Sequence, residues 1–123
     1  MNARQKGLKF VHEVAGILSS MGETTEGPGF KSCFFGGRMS VVHSDYFGLF
    51  DLISWDGAEY RFHQVSTLSN KAAKLRAIRD RMMPGWIWCR VSDPVGYRIF
   101  KVDWKGEVTE TEMKFIPKKE AVK

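Results

Sequence analysis

Asp51 stands inside an otherwise apolar run, Leu49-Phe50-Asp51-Leu52-Ile53, and a buried carboxylate is costly unless it is paired or ligated. About a dozen residues later, Phe62-His63-Gln64-Val65-Ser66 puts Gln64 and Ser66 on one face of a strand, because strand side chains alternate with a period of two. An acid facing a polar side chain on the neighbouring strand is the geometry of a divalent-metal site, since hard cations take carboxylate and carbonyl oxygens. A nearby lysine can then position water or neutralise charge developing on a phosphate. Asp45 is a candidate second carboxylate ligand, with a loop acid that fixes Ser44-Asp45 as its plainer use.

These residues need elements to hold them. From Arg4 to Met21 the apolar residues Phe10, Val11, Val14, Ile17, Leu18 and Met21 recur at helical spacing, and Gly22 is a suitable stop. Glu23 to Gly29 reads as a polar connection, Phe30 to Phe35 as a short strand broken by Gly36-Gly37. Leu49 to Trp55 reads as a strand, Asp56-Gly57 as a hairpin turn, and Glu59 to Thr67 as the antiparallel partner, which makes Asp51 and Gln64 neighbours. Ser69 and Asn70 are candidate N-caps for a helix from about Lys71 to Met83, ended by Pro84-Gly85. Leu75, Ile78 and Met82 form its apolar stripe; Lys71 falls on that stripe and so points at the sheet. Trp86 to Val91 and Tyr97 to Trp104 alternate like strands. The order helix, three strands, helix, two or more strands specifies an α/β (α+β) sheet with helices packed on it.

The chain has 123 residues, enough for one domain. With four Trp, nine Phe and 27% charged residues it can bury enough apolar surface to offset its ordering entropy, which excludes overall disorder. No apolar run approaches the roughly 20 residues that span a bilayer, and Met1 to Lys6 leads into an amphipathic segment, so a soluble cytoplasmic protein is expected, with no membrane partner. Cys33 and Cys89 form no C-x-x-C, and Cys89 within Trp86-Ile87-Trp88-Cys89 reads as a small buried hydrophobe. The formal charge of +5 is compatible with a polyanion partner without establishing one. Residues 1–116 read as the domain and 117–123 as a basic tail.

Taken together, these residues resemble the PD-(D/E)xK nuclease superfamily, in particular its archaeal and phage Holliday-junction-resolvase-like branch. The likeness runs from about Lys6-Gly7 through Arg90. Ser44 through Ile53 with Gln64-Val65-Ser66-Thr67 is more specifically similar to phage and plasmid relatives that carry glutamine-valine-threonine in place of acid-x-lysine. The resemblance implies a restriction-endonuclease-like core (helix-β-β-β-helix-β), a mixed sheet flanked by helices, a magnesium or manganese cofactor, DNA, including branched DNA, as substrate, and a homodimer. It makes Asp51 the metal-binding aspartate and Gln64, through its carbonyl oxygen, the counterpart of the second acid. Ser66 takes the place of the catalytic lysine. A hydroxyl cannot supply that cation, whereas a lysine on the following helix can, Lys71 from its inward stripe being the better candidate and Lys74 lying on the flank; a rearranged catalytic site and a degenerate one both fit. Glu13 is the candidate for the family's helix-one glutamate, although one register puts Val11 there. Arg38, Ser44, Lys74, Arg79 and Arg81 are the implied DNA contacts.

Each of these residues also has a plainer use. Asp51 can be a strand-end acid, and Lys71, Lys74, Arg76, Arg79 and Arg81 a solvated helix face. His12, His43 and His63 share no metal spacing and read as surface or locally hydrogen-bonded imidazoles. Gly36-Gly37 lacks the pattern of a phosphate loop, and Trp86 and Trp88 read as core. Two functions follow: a metal-dependent DNA endonuclease, or the same fold without turnover as a DNA-binding or interaction module.

Overall fold

The computed structural model describes residues 3–27, 29–35, 37–44, 46–47, 49–92 and 94–115; for 3–6, 29–35, 38–44 and 115 it describes the backbone alone. Helix α1 spans Ala3–Ser20 and buries Val11, Val14 and Leu18, spaced by three and four residues along one face. Its end is a Schellman motif. Gly22 adopts φ +88°, its N–H donates to the Ser19 carbonyl at 3.0 Å, and the Glu23 N–H reaches back to Leu18 at 3.1 Å.

Strands β1 (Thr24–Glu26), β4 (Leu52–Trp55), β5 (Tyr60–Thr67), β6 (Gly85–Ser92), β7 (Val95–Val102), β8 (Val108–Glu110) and β9 (Lys114–Phe115) form one seven-stranded sheet, ordered β1-β4-β5-β6-β7-β8 with β9 also pairing β7. All its pairings are antiparallel except β5–β6, which helix α2 (Lys71–Asp80) joins as a crossover. Strands β2 (Gly29–Phe35) and β3 (Arg38–Ser44) make a separate hairpin. The two helices lie on opposite faces. Val11, Val14 and Leu18 of α1 pack with Leu52, Trp88, Tyr97 and Ile99, whereas Ile78 of α2 packs with Phe50, Ile87, Cys89, Phe100 and Val102. The result is a three-layer α+β arrangement. No helix among the described residues is long and apolar enough to cross a membrane.

Several sequence expectations are corrected. The polar connection after α1 contains β1, an edge strand of the sheet; with Thr24 and Glu26 exposed and Thr25 half-buried, it needs little apolar character. The strand expected at 30–35 belongs to the outlying hairpin instead. The strand expected from Leu49 begins at Leu52, because Tyr46 and Phe50 bridge across a tight turn first. The hairpin register is as expected in direction, Trp55 facing Tyr60 and Leu52 facing His63, with the Asp56 carboxylate closing the turn on the Ala58 and Glu59 N–H groups at 2.8 Å each. Those two bonds hold the Asp56 carboxyl below its ordinary range.

Helix α2 ends at Asp80, not Met83. Met82 leaves the expected apolar stripe, stands 71% exposed and adopts φ +53°, while Met83 packs onto the core in its place. The bonds repeat the Schellman pattern of α1, Met82 to Arg79 at 2.9 Å and Met83 to Ile78 at 3.4 Å, with a methionine where glycine is at ease. Met82→Gly is therefore expected to stabilise the fold by about 0.5–1 kcal/mol, read as a higher urea midpoint with an unchanged slope.

Candidate functional site

Beyond the last β4–β5 pair, the chain bends at Asp51, whose N–H donates to the His63 carbonyl at 2.8 Å. This places the Asp51 side chain on the face that carries Gln64, and both are buried, at 7% and 5% exposure. Asp51 Oδ2 accepts from Gln64 Nε2 at 3.1 Å and from the Val65 N–H at 2.9 Å. Gln64 Nε2 also donates to the Val65 carbonyl at 3.1 Å. Two oxygens, one anionic and one carbonyl, thus converge on a point that the amide nitrogen holds. A half-turn of the amide puts Gln64 Oε1 there and completes an oxygen donor set of the kind hard cations take. Among the described residues no three of His, Cys, Asp and Glu gather in one place, so this set leans on amide and carbonyl oxygens.

Gly27 fixes the corner from behind. It adopts φ +114°, and a Cβ on it would lie 2.7 Å from the Asp51 carbonyl oxygen and 3.1 Å from the Tyr46 ring. Gly27→Ala must push the Asp51 bend away, and is expected to cost about 2–3 kcal/mol in a urea melt.

Val65 joins this corner to a cleft of about 740 Å³ that caps the carboxyl ends of β5 and β6. Helix α1 walls it with Lys9 and Phe10, and α2 with Lys74; Ser66, Thr67, Asn70, Arg90 and Ser92 complete the floor and rim. The Arg90 guanidinium stacks 4.4 Å from the Phe10 ring centroid and pairs through Nη1 with Glu13 at 3.1 Å. Glu13 also accepts from the Tyr97 hydroxyl at 2.7 Å, and burial together with that carboxylate pushes the phenol well above its ordinary range.

Comparison with family models, with characterised proteins and with solved structures finds no match for this chain.

The expected site residues are brought together only in part. Asp51 and Gln64 meet at the corner; Ser66 and Lys74 meet in the cleft. Lys71 does face the sheet, but its ammonium stands 4.2 Å from the Phe100 ring centroid, over β7 and two strands away from β5. Glu13 lies on the α1 face, committed to Tyr97 and Arg90. Arg79 donates to the Gly106 carbonyl at 2.8 Å and Arg81 reaches the Phe47 carbonyl at 3.4 Å, near the far end of α2. Asp45 and the tail 117–123 lie outside the described residues, as do the side chains of Arg38 and Ser44. Sequence reasoning missed Lys9 and Arg90; the signal for Arg90 was a charge at the end of the apolar run Trp86 to Cys89.

On the α1 face a second polar group is fully enclosed. His63, 1% exposed, accepts from Trp88 Nε1 at its Nδ1 (2.9 Å), and its Nε2 meets Ser54 Oγ at 2.8 Å. Ser54 in turn donates to Glu23 at 2.6 Å, and Glu23 faces Arg61 at 3.6 Å. With Nδ1 accepting, the neutral ring carries its proton on Nε2 and donates to Ser54, the reverse of a nucleophile-activating histidine. The serine and histidine here are a structural chain. Burial, reinforced by the Arg61 cation, pushes the imidazole down to about 3.

Proposed function

We propose that the protein is a nuclease-fold protein that acts on DNA as a divalent-metal-dependent endonuclease, with Asp51, Gln64 and the Val65 carbonyl as its metal corner. The observation that carries this reading is the convergence of Asp51 Oδ2 and the Val65 carbonyl on the Gln64 amide, one residue from a cationic cleft. The element order adds support. α1, then β1, β4 and β5 side by side and antiparallel, then crossover helix α2, then β6 parallel to β5, is a helix-β-β-β-helix-β path with the β2–β3 hairpin inserted.

Magnesium or manganese held there supplies Lewis acidity toward a phosphodiester and a more acidic water. The protein's own part is to hold the Asp51 charge in place through two N–H donors, to offer the Gln64 carbonyl by amide rotation, and to offset phosphate charge from the cleft with Lys74. The test is nicking of plasmid and branched DNA in manganese. Asp51→Asn, which keeps an acceptor for Val65, is expected to lower the rate at least about 100-fold. Cleavage that survives this change rules the corner out.

A second reading, DNA binding without cleavage, is favoured by one observation: the amide turns its nitrogen, not its oxygen, to Asp51, while Lys71 is spent on Phe100. It predicts retarded DNA on gels that manganese never cuts.

A further inference from the structure

We propose that the cleft at the carboxyl ends of β5 and β6 is a binding site for the phosphate group of a nucleotide, with Lys9 and Lys74 as its charged contacts and Arg90 as its fixed floor. The inference does not rest on metal chemistry at Asp51. Its first support is charge. Lys9, Lys74 and Arg90 come from α1, α2 and β6, and no Asp or Glu is among the described residues that line the cleft. Lys9 and Lys74 form no ion pair among the described residues, so their ammonium groups are uncommitted. Arg90 is balanced by Glu13, but the two lysines face no carboxylate on this concave surface, and an anion there offsets their charge.

The second support is the donor set. Arg90, in the lining of the cleft, is held in place by Glu13 and the Phe10 ring. Ser66, Thr67 and Ser92 add hydroxyls, and the Asn70 side chain makes no capping bond to α2, which leaves its amide available to a ligand. Helix α2 starts at Lys71, beside Asn70, so the positive end of its dipole adds to the potential of the cleft. The third support is size. About 740 Å³ lies within the range of small-molecule sites and far exceeds what a bare inorganic anion fills.

The phosphate can belong to a free nucleotide or to a nucleic-acid strand. Calorimetric titration in EDTA, which removes divalent metal, separates these sources and keeps the result independent of cleavage. The ligands are thymidine monophosphate, inorganic phosphate, and short oligothymidylates with a 5′-phosphate or a 5′-hydroxyl. Tighter binding of the mononucleotide than of either oligomer marks a nucleotide site. Preference for the 5′-phosphorylated oligomer marks a strand end, and equal binding of both oligomers marks internal phosphates. In each case Lys9→Glu and Lys74→Glu are expected to weaken binding about tenfold or more, Lys74→Arg to retain it, and Lys105→Glu, the same charge change on a remote turn, to stay within about twofold. Unchanged melting temperatures establish that the variants fold. The proposal is overturned if no ligand binds, if Lys105→Glu weakens binding as much as the cleft changes do, or if inorganic phosphate binds as tightly as the mononucleotide.

Discussion

Acidification from pH about 6.5 to about 4.5 is expected to cost the fold about 2 kcal/mol, at a slope that approaches about 1.4 kcal/mol per pH unit, and a single imidazole is the cause. His63 stays neutral in the folded chain down to about 3, because it is buried beside the Arg61 cation. Unfolded, it titrates at an ordinary value near 6.5, roughly. Below that value the unfolded state binds a proton that the folded state refuses, so stability present above it is lost progressively as the pH falls toward about 3. The full span corresponds to a loss on the order of 4–5 kcal/mol. Protonation would also set a second ring N–H against the Trp88 donor, which now finds an acceptor at Nδ1. Carboxylates with ordinary titration are almost wholly ionised above about 5.5, so the upper part of the window isolates His63. Urea unfolding at a series of pH values measures the slope. His63→Gln, which keeps an acceptor for Trp88 but does not titrate, is expected to be less stable at neutral pH and to flatten that slope; an equally steep curve in the variant would remove His63 from the account.

Gln64→Glu is expected to lower the melting temperature by about 10 °C in EDTA and to recover most of it in manganese. The amide now donates to Asp51 Oδ2 and to the Val65 carbonyl, both at 3.1 Å. A carboxylate in its place loses both bonds and puts a second negative charge against a buried one. Loss of a bond to a charged group alone costs about 1.5–3 kcal/mol, and the repulsion adds to it. The same change builds two carboxylates and a carbonyl around one point. A divalent ion bound at about 100 times its dissociation constant returns about 2.7 kcal/mol. The parent protein should gain less from manganese, since its amide must first turn and surrender two hydrogen bonds. Thermal melts with and without metal decide the matter, and a variant indifferent to manganese would show that the three oxygens do not share a cation.

The juxtaposition of Asp51 and Gln64 was legible because a short hairpin sets its own register. Once Asp56-Gly57 is read as the turn, counting back along both strands brings the two together, and the structure adds only that Asp51 sits one step past the last paired rung. Helix α1 was legible for a similar reason, since its apolar spacing and the Gly22 stop are local. The cleft was not. Lys9, Ser66, Lys74 and Arg90 meet only because β6 runs parallel to β5 and returns beside it after a helix, and no short-range pattern encodes that pairing. Strand β1 escaped notice because an edge strand of Thr-Thr-Glu has no apolar alternation to detect. Met82 misled in the opposite sense, as its apolar side chain continued the helical stripe while its backbone had already left the helix. Nothing in the segment around His63 signals its enclosure, which depends on Trp88 from a strand some two dozen residues later.

The chain of bonds from Trp88 through His63 and Ser54 to Glu23 crosses from β6 to β5, to β4 and to the residue before β1. It acts as a crossbar bolted through four neighbouring ribbons. Sliding any one of them by a single step would turn its polar partner to the opposite face and strand the others in a dry interior. Misaligned pairings that a purely greasy interior would tolerate are thereby penalised, so the same atoms that make the molecule vulnerable to acid also help it choose one alignment over its near relatives.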